Sequence, residues 1–302
     1  MYRQQAPEDR VGGIEDSHEG YTIVHTKDSQ YHRIAVVEDG ESRFLRFDSS
    51  LQSGMYIDRP YETRFGYVDY LQLPLAYKPD AKKILYLGLG GGSAPKRTWR
   101  DFPATQIDAV EIDPEVVDVA YKYFELPRDP RLNVEVEDGR RYLTKNDERW
   151  DVIVVDAFYS DSIPFHLATR EFLELAQSRL APGGLVVTNI IGAVKGPDSR
   201  LFRSMLRTYR SQFPTIAIHP VLDTGGDDLE AIRNIILVAG EGAAPSKQFL
   251  LERWAELRKS APGAPDLDDA IEGRVDAPIA TTDVPVLTDD YAPTDALLLL
   301  FQ

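Results

Sequence analysis

The chain has 302 residues and a formal net charge of −15, a balance that argues against nucleic acid, whose binding rests on basic contacts to phosphate. It contains no cysteine, which excludes disulfides, thiolate metal sites and cysteine nucleophiles. With 43% hydrophobic and 27% charged residues it has the make-up of a soluble globular protein, and its acidity favours a small cationic substrate as partner.

Residues 1–18 are polar, carry Gly12 and Gly13, and read as a mobile N-terminal arm. They lack the basic and apolar regions of a secretory leader, and no apolar run approaches the roughly 20 residues of a membrane helix. The expectation is a cytoplasmic protein with no membrane partner. Residues 19–60 form short alternating runs, YTIVHT, HRIAVVED, SRFLRFD and GMYID, separated by turn pairs such as Asp39-Gly40 and Ser53-Gly54. That pattern predicts a small antiparallel β-domain. In YETRFGYVDYLQLPLAY, residues 61–77, aromatics and leucines recur at three and four, which predicts a helix on a core.

After Lys82 the rhythm alternates strand and helix. Strands are expected over 83–89, 106–112, 132–136, 150–157, 185–191, 215–219 and 233–239. Helices are expected near 93–101, 114–124, 168–180 and 199–212, with a short one from Gly139. Alternation requires crossover connections, hence an α/β fold with a doubly wound, mostly parallel Rossmann-like sheet over residues 61–302. Residues 240–285 read as a long excursion with one helix at 247–259 and a stretch from 262 to 285 open to disorder.

Three strand ends carry suitable chemistry. ILYLGLGGGSAPKR places Gly88, Gly90 and Gly91 after the first strand, where glycine lets the backbone turn sharply and a ligand approach closely. VEID puts Glu111 at the end of the second strand, where a carboxylate can accept both ribose hydroxyls; Asp113 before Pro114 reads as a helix cap. VEDGRRYL puts Asp138 and Gly139 at the third strand end, where an aspartate can receive the exocyclic amine of adenine. GLGGGS nearly fits the G-x-G-x-x-G dinucleotide fingerprint. Against a dehydrogenase, the turn RLAPGGLVVTNI leads into a fifth strand as in the class I S-adenosylmethionine-dependent methyltransferase fold, with no clear hydride-transfer context. The dispersed histidines show no ligand spacing, so no metal is expected.

Together VEIDPEVVDVA, DPRLNVEVEDGRRYL, WDVIVVDAF, TREFLEL and the ending LTDDYAP resemble the spermidine synthase (aminopropyltransferase) family, from SQYHRI at 29–34 onward. The resemblance implies a nucleoside site for decarboxylated or ordinary S-adenosylmethionine as co-substrate, with no tightly bound cofactor. It implies that Glu111 holds the ribose, that Asp138 holds the adenine, and that Asp156 is the catalytic aspartate. Gln30 falls in the region contacting the nucleoside end. Tyr67 and Asp69 fall in the region facing the amine. Asp161 is the second acid of a loop longer than the family's Asp-Ser-x-Asp-Pro pattern. Asp289, Asp290 and Tyr291 are expected either to line the amine end, Asp290 and Tyr291 as substrate-binding residues, or to form a capped turn. A homodimer is implied as well. The family's Gly-rich loop usually reads GGGDGG, and its aspartate aligns with Gly91. That departure leaves three readings: an aminopropyltransferase with another anchor, a methyltransferase, or a non-catalytic nucleoside- or polyamine-binding member. His166 reads as a loop or helix-start residue, with a substrate contact as the alternative, Tyr159 as either a loop or a stacking residue, and Lys96 as a surface charge.

Overall fold

The computed structural model describes residues 14–16, 20–158, 163–222, 226 and 228–297. Strands β1 (Ile14–Asp16), β2 (Tyr21–Asp28), β3 (Arg33–Glu38), β4 (Ser42–Phe47) and β5 (Ser50–Tyr56) form one antiparallel sheet in sequence order. The Asp39 carboxylate closes the β3–β4 turn by accepting from Ser42 N–H at 2.8 Å and Glu41 N–H at 3.1 Å. β1 lies within the stretch read as an arm and pairs with β2 through Ile14 opposite Ile23.

Residues 61–77 are not one helix. They give α1 (Tyr67–Tyr70) and α2 (Leu73–Tyr77), with Pro74 in the first turn of α2. Proline has no N–H to donate and clashes with a preceding helical turn, so it starts α2 instead of continuing α1. The periodicity was real, because Val68, Leu71, Leu75 and Ala76 are all buried, but it spans two short helices.

The main sheet follows: β6 (Lys83–Leu87), α3 (Ser93–Asp101), β7 (Gln106–Glu111), α4 (Pro114–Tyr123), β8 (Leu132–Val136), α5 (Gly139–Lys145), β9 (Trp150–Val155), α6 (Arg170–Ser178), β10 (Leu180–Gly192), α7 (Arg200–Arg210), β11 (Thr215–Pro220) and β12 (Arg233–Gly240). The strand order is β11-β12-β10-β9-β6-β7-β8, parallel except at β12, which is antiparallel to both neighbours. From β6 the chain winds first towards β8 and then returns to β9. This leaves a switch point between β6 and β9, where open α/β sheets bind ligands. Alternate residues face opposite layers, as a strand's period of two requires. Val152 and Val154 of β9 join the core under α3 and α4, whereas Ile153 and Val155 join the core under α6 and α7.

The excursion after β12 is folded, and the stretch read as open to disorder is part of it. It holds α8 (Lys247–Ser260), a second helix α9 (Asp268–Glu272) and, after further loop, α10 (Thr294–Leu297). Trp254 anchors it: the ring is fully buried and Nε1 donates to Pro265 O at 3.0 Å. Ala264, Leu267, Ala270 and Ile271 are buried behind it.

A buried relay fixes this excursion to the sheet. His219 Nδ1 lies 2.8 Å from Ala270 O, a pure acceptor, so that nitrogen carries the proton. Nε2 then accepts from Tyr77 O–H at 2.8 Å. Burial pushes the imidazole down to about 4, which keeps it neutral near pH 7. Replacing Tyr77 by Phe leaves Nε2 buried without a donor, and urea unfolding should show a loss of about 1–3 kcal/mol.

Candidate active site

A cleft of about 760 Å³ opens at the switch point, between the carboxyl ends of the parallel strands and β5 of the small sheet. Gly88 makes the switch point possible. Its φ is +100°, and a Cβ there would meet Asp156 O at 2.2 Å. Any side chain would push the ends of β6 and β9 apart. Gly88 N–H donates to Val110 O at 2.9 Å and Asp156 N–H to Leu87 O at 2.9 Å, so the ends of β6, β7 and β9 are locked together.

Glu111 stands at the end of β7 and holds the glycine loop. Oε2 accepts from Leu89 N–H at 3.1 Å and Gly90 N–H at 3.4 Å, and Oε1 from Asp113 N–H at 3.1 Å. Burial pushes its carboxyl up, and these N–H groups pull it back. Oε1, which accepts only one of these bonds, keeps a lone pair for a ribose hydroxyl. Asp113 caps α4, accepting from Glu115 N–H at 3.0 Å.

Asp138 has two tasks. Oδ1 caps α5 by accepting from Arg141 N–H at 2.9 Å, and Oδ2 accepts from His166 Nε2 at 2.8 Å. The His166 hydrogen bond is the main reason its carboxyl lies below the usual range. His166 lines the cleft. It sits on the one-turn segment Phe165–Leu167, whose backbone is held by Arg140 Nη1 to His166 O at 3.2 Å. Arg140 also makes a two-pronged pair with Asp289, both contacts at 2.7 Å. Gly139 lines the cleft beside Asp138.

Asp156 stands at the end of β9 and lines the cleft. Burial pushes its carboxyl up to about 6, partly offset by a hydrogen bond from Asn189 Nδ2 to Oδ1 at 2.9 Å. Asn189 Oδ1 in turn accepts from Asn234 Nδ2 at 2.9 Å. Tyr67 lines the same floor, its phenol pushed well above 10 by burial and then by the Asp156 charge.

Several expected residues stand elsewhere. Gln30 is exposed and does not line the cleft. Its loop is pinned by Ser29, whose Oγ donates to Asp113 at 2.5 Å and accepts from His32 N–H at 2.9 Å. This turns Tyr31 and His32 inward, with His32 stacked on Phe47 at 4.1 Å. Asp69 faces away and pairs with Arg97 Nη1 at 2.8 Å. Asp290 and Tyr291 are exposed and outside the cleft. The bridge between Thr288 and Tyr291 turns the chain there, and Thr294 and Asp295 of α10 line the cleft instead. Tyr159 and Asp161 lie outside the described residues.

Gly91 is buried against the small sheet and does not line the cleft. Its N–H donates to Ser53 Oγ at 2.9 Å, and a Cβ would sit 2.9 Å from Phe124 Cδ1 and 3.0 Å from Ser53 Cβ. The aspartate usual at this place would have nowhere to go. Lys96 is no surface charge. It is 2% exposed, its Nζ donates to Phe124 O at 2.6 Å, and burial pushes it down to about 7.

The residues missed by sequence reading are Ser50–Ser53 of β5, Tyr31, His32, and the asparagines of β10 and β12. A signal existed for the asparagines: each is a polar residue inside an apolar strand run, VVTNII and RNIILV.

The family model described as "Spermine/spermidine synthase domain" matches residues 65–235. The chain is 35% identical over 202 residues to a polyamine aminopropyltransferase of Vibrio vulnificus, covering 64% of this chain and 65% of that protein. It is 30% identical over 243 residues to one of Chromobacterium violaceum, covering 80% and 84%. The structure of a probable spermidine synthase from Corynebacterium glutamicum superposes with a TM-score of 0.66 at 22% identity, covering 86% of this chain and 98% of that one. That likeness concerns the fold.

Two outcomes follow from this geometry. Asp156 ionises less readily here than in an unfolded chain, so its charge lowers stability progressively as pH rises from about 4 to 6, and the loss stays constant above that. Asp156→Asn should therefore be more stable than the wild type at pH 8, by about 2 kcal/mol in chemical unfolding, with the difference vanishing near pH 4. Gly91→Asp should lose about 1–3 kcal/mol through overpacking against Phe124, measured the same way.

Proposed function

We propose, starting from the fact that this chain belongs to the spermine/spermidine synthase family, that it transfers the aminopropyl group of decarboxylated S-adenosylmethionine to an alkylamine such as putrescine, releasing methylthioadenosine. The observation that carries this reading is the charge of the cleft. Among the described residues the charged groups lining it are Glu111, Glu137, Asp138, Asp156 and Asp295, with no lysine or arginine.

Such a cleft discriminates between donors. Decarboxylated S-adenosylmethionine brings a sulfonium and an ammonium, both attracted by the acids. Ordinary S-adenosylmethionine brings a carboxylate as well, and no cationic side chain lines the cleft to receive it. Selection for the decarboxylated form therefore does not need an aspartate at Gly91, because the whole wall exerts it.

The chemistry follows from Asp156. An alkylammonium must lose a proton before its nitrogen has a lone pair to offer. Ionised Asp156 orients the ammonium and accepts that proton. The nitrogen attacks the methylene next to the sulfonium, the carbon–sulfur bond breaks, and the electron pair neutralises sulfur as a thioether. Alignment on one axis supplies most of the rate, since sulfonium is already a good leaving group. Glu111 would hold the ribose and Asp138 the adenine amine, with Tyr67 beside the acceptor.

The test is formation of methylthioadenosine from decarboxylated S-adenosylmethionine over a panel of diamines. The decarboxylated donor should bind at least about tenfold tighter than the carboxylated one by calorimetry, a difference of about 1.4 kcal/mol. Asp156→Asn should lower kcat by about 10²–10⁴. Asp156 must be ionised, so kcat/KM should fall as pH drops through about 6, and kcat at lower pH, because the bound cation favours the carboxylate. Methyl transfer from ordinary S-adenosylmethionine with formation of adenosylhomocysteine would replace this reading with a methyltransferase. Nucleoside binding without turnover would leave a binding protein.

A further inference from the structure

Three polar side chains from three adjacent strands meet at the cleft floor. Thr188 of β10 is paired with Val155 of β9, so Asn189 lies beside Asp156. Asn189 pairs across the sheet with Ile236, and Asn234 with Ile191. Asn189 and Asn234 are thus a diagonal pair on one face of antiparallel strands, within side-chain reach. Asn189 is 1% exposed, and its amide is used at both ends, donating to Asp156 Oδ1 and accepting from Asn234 Nδ2, each at 2.9 Å.

The direction of this chain is determined. A carboxylate only accepts, so Asn189 must turn its NH₂ towards Asp156 and its carbonyl towards Asn234. Asn234 must then present its NH₂. Among the described residues Asp156 Oδ2 receives no hydrogen bond, and it is the oxygen left for an incoming amine. The titratable groups facing Asp156 are the Tyr67 and Tyr86 phenols, both pushed up by burial and both neutral. The asparagine is the group that partly offsets the effect of burial on this acid.

We infer that Asn234 is a positioning residue for Asp156, holding the Asn189 amide in the one orientation that donates to Oδ1 and leaves Oδ2 to the acceptor amine. The inference rests on the proposed role of Asp156 but is measurable without turnover.

Two variants separate this role from mere packing. Asn234→Leu removes the donor to Asn189 Oδ1 and lets the amide turn over part of the time. Asn234→Asp keeps size and polarity but replaces the donor with an acceptor. Asn189 must then flip its NH₂ towards the new carboxylate and face Asp156 with its carbonyl. Asn234→Asp should be the more damaging change, lowering kcat by about 10²-fold against about tenfold for Asn234→Leu, with donor KM little altered in either. A packing role gives the reverse order.

The second readout is the titration of Asp156, taken from the pH at which the stability difference between each variant and its Asp156→Asn double variant appears. It should move up in both variants, and the shift in Asn234→Leu, which adds no charge, reads the relay alone, because the new carboxylate of Asn234→Asp also repels Asp156 directly. Thermal unfolding verifies that both variants fold. An unmoved Asp156 titration in Asn234→Leu, or equal losses of kcat, overturns the inference. A shifted titration in a protein that transfers no aminopropyl group leaves the relay standing and rejects the proposed activity.

Discussion

The carbonyl of Asp156 occupies the space that a side chain at position 88 would need. Because Gly88 has no Cβ, the turn after β6 passes flush against the end of β9, and the gap between two strands becomes a cleft floor. The other site features depend on this approach. The Glu111 carboxylate gathers the glycine loop from the β7 side, and the Asp156 side chain emerges where the loop leaves room. A larger residue at 88 would separate the Glu111 end of the cleft from the Asp156 end.

Burial then determines the chemistry. Asp156 is held in a poorly solvated site with one hydrogen-bond donor on one oxygen, so its charge is costly until a cation arrives. Burial acts on Glu111 too, but backbone N–H groups on both oxygens offset part of it and tie the carboxyl to the glycine loop. A carboxyl group is thus part of the scaffold at one strand end and, in the proposed reaction, the proton acceptor at another. The difference lies in the number of donors facing each carboxylate.

The strand ends were legible because order along the chain determines them. Glycines after β6, Glu111 after β7, Asp138 after β8 and Asp156 after β9 each close an apolar run, and a doubly wound sheet brings such ends to one edge. What was not legible depends on local turns or on register. Ser29 and Asp113 turn Gln30 outward and bring Tyr31 and His32 in, which no periodicity reveals. The turn at Thr288 and Tyr291 exposes Asp290 and hands the wall to Thr294 and Asp295. Asn189 and Asn234 stand 45 positions apart, and only the antiparallel register of β10 and β12 joins them. Lys96 reads as an ordinary helix lysine until the small sheet is docked over its side.

That docking has a consequence for how the molecule comes apart. Ile34, Val36, Leu45, Phe47 and Met55 of the small sheet share one apolar cluster with Val116, Val119 and Phe124 of α4 and the segment after it, and the Lys96 amine is sealed in the same seam between Met55 and Phe124. Two regions that the sequence divides by pattern have a core in common. Peeling the small sheet away would expose that cluster and a desolvated amine at once, a combined penalty that couples the two regions. The two regions are accordingly expected to melt together, with the wall bearing Ser50–Ser53 held in place until they do.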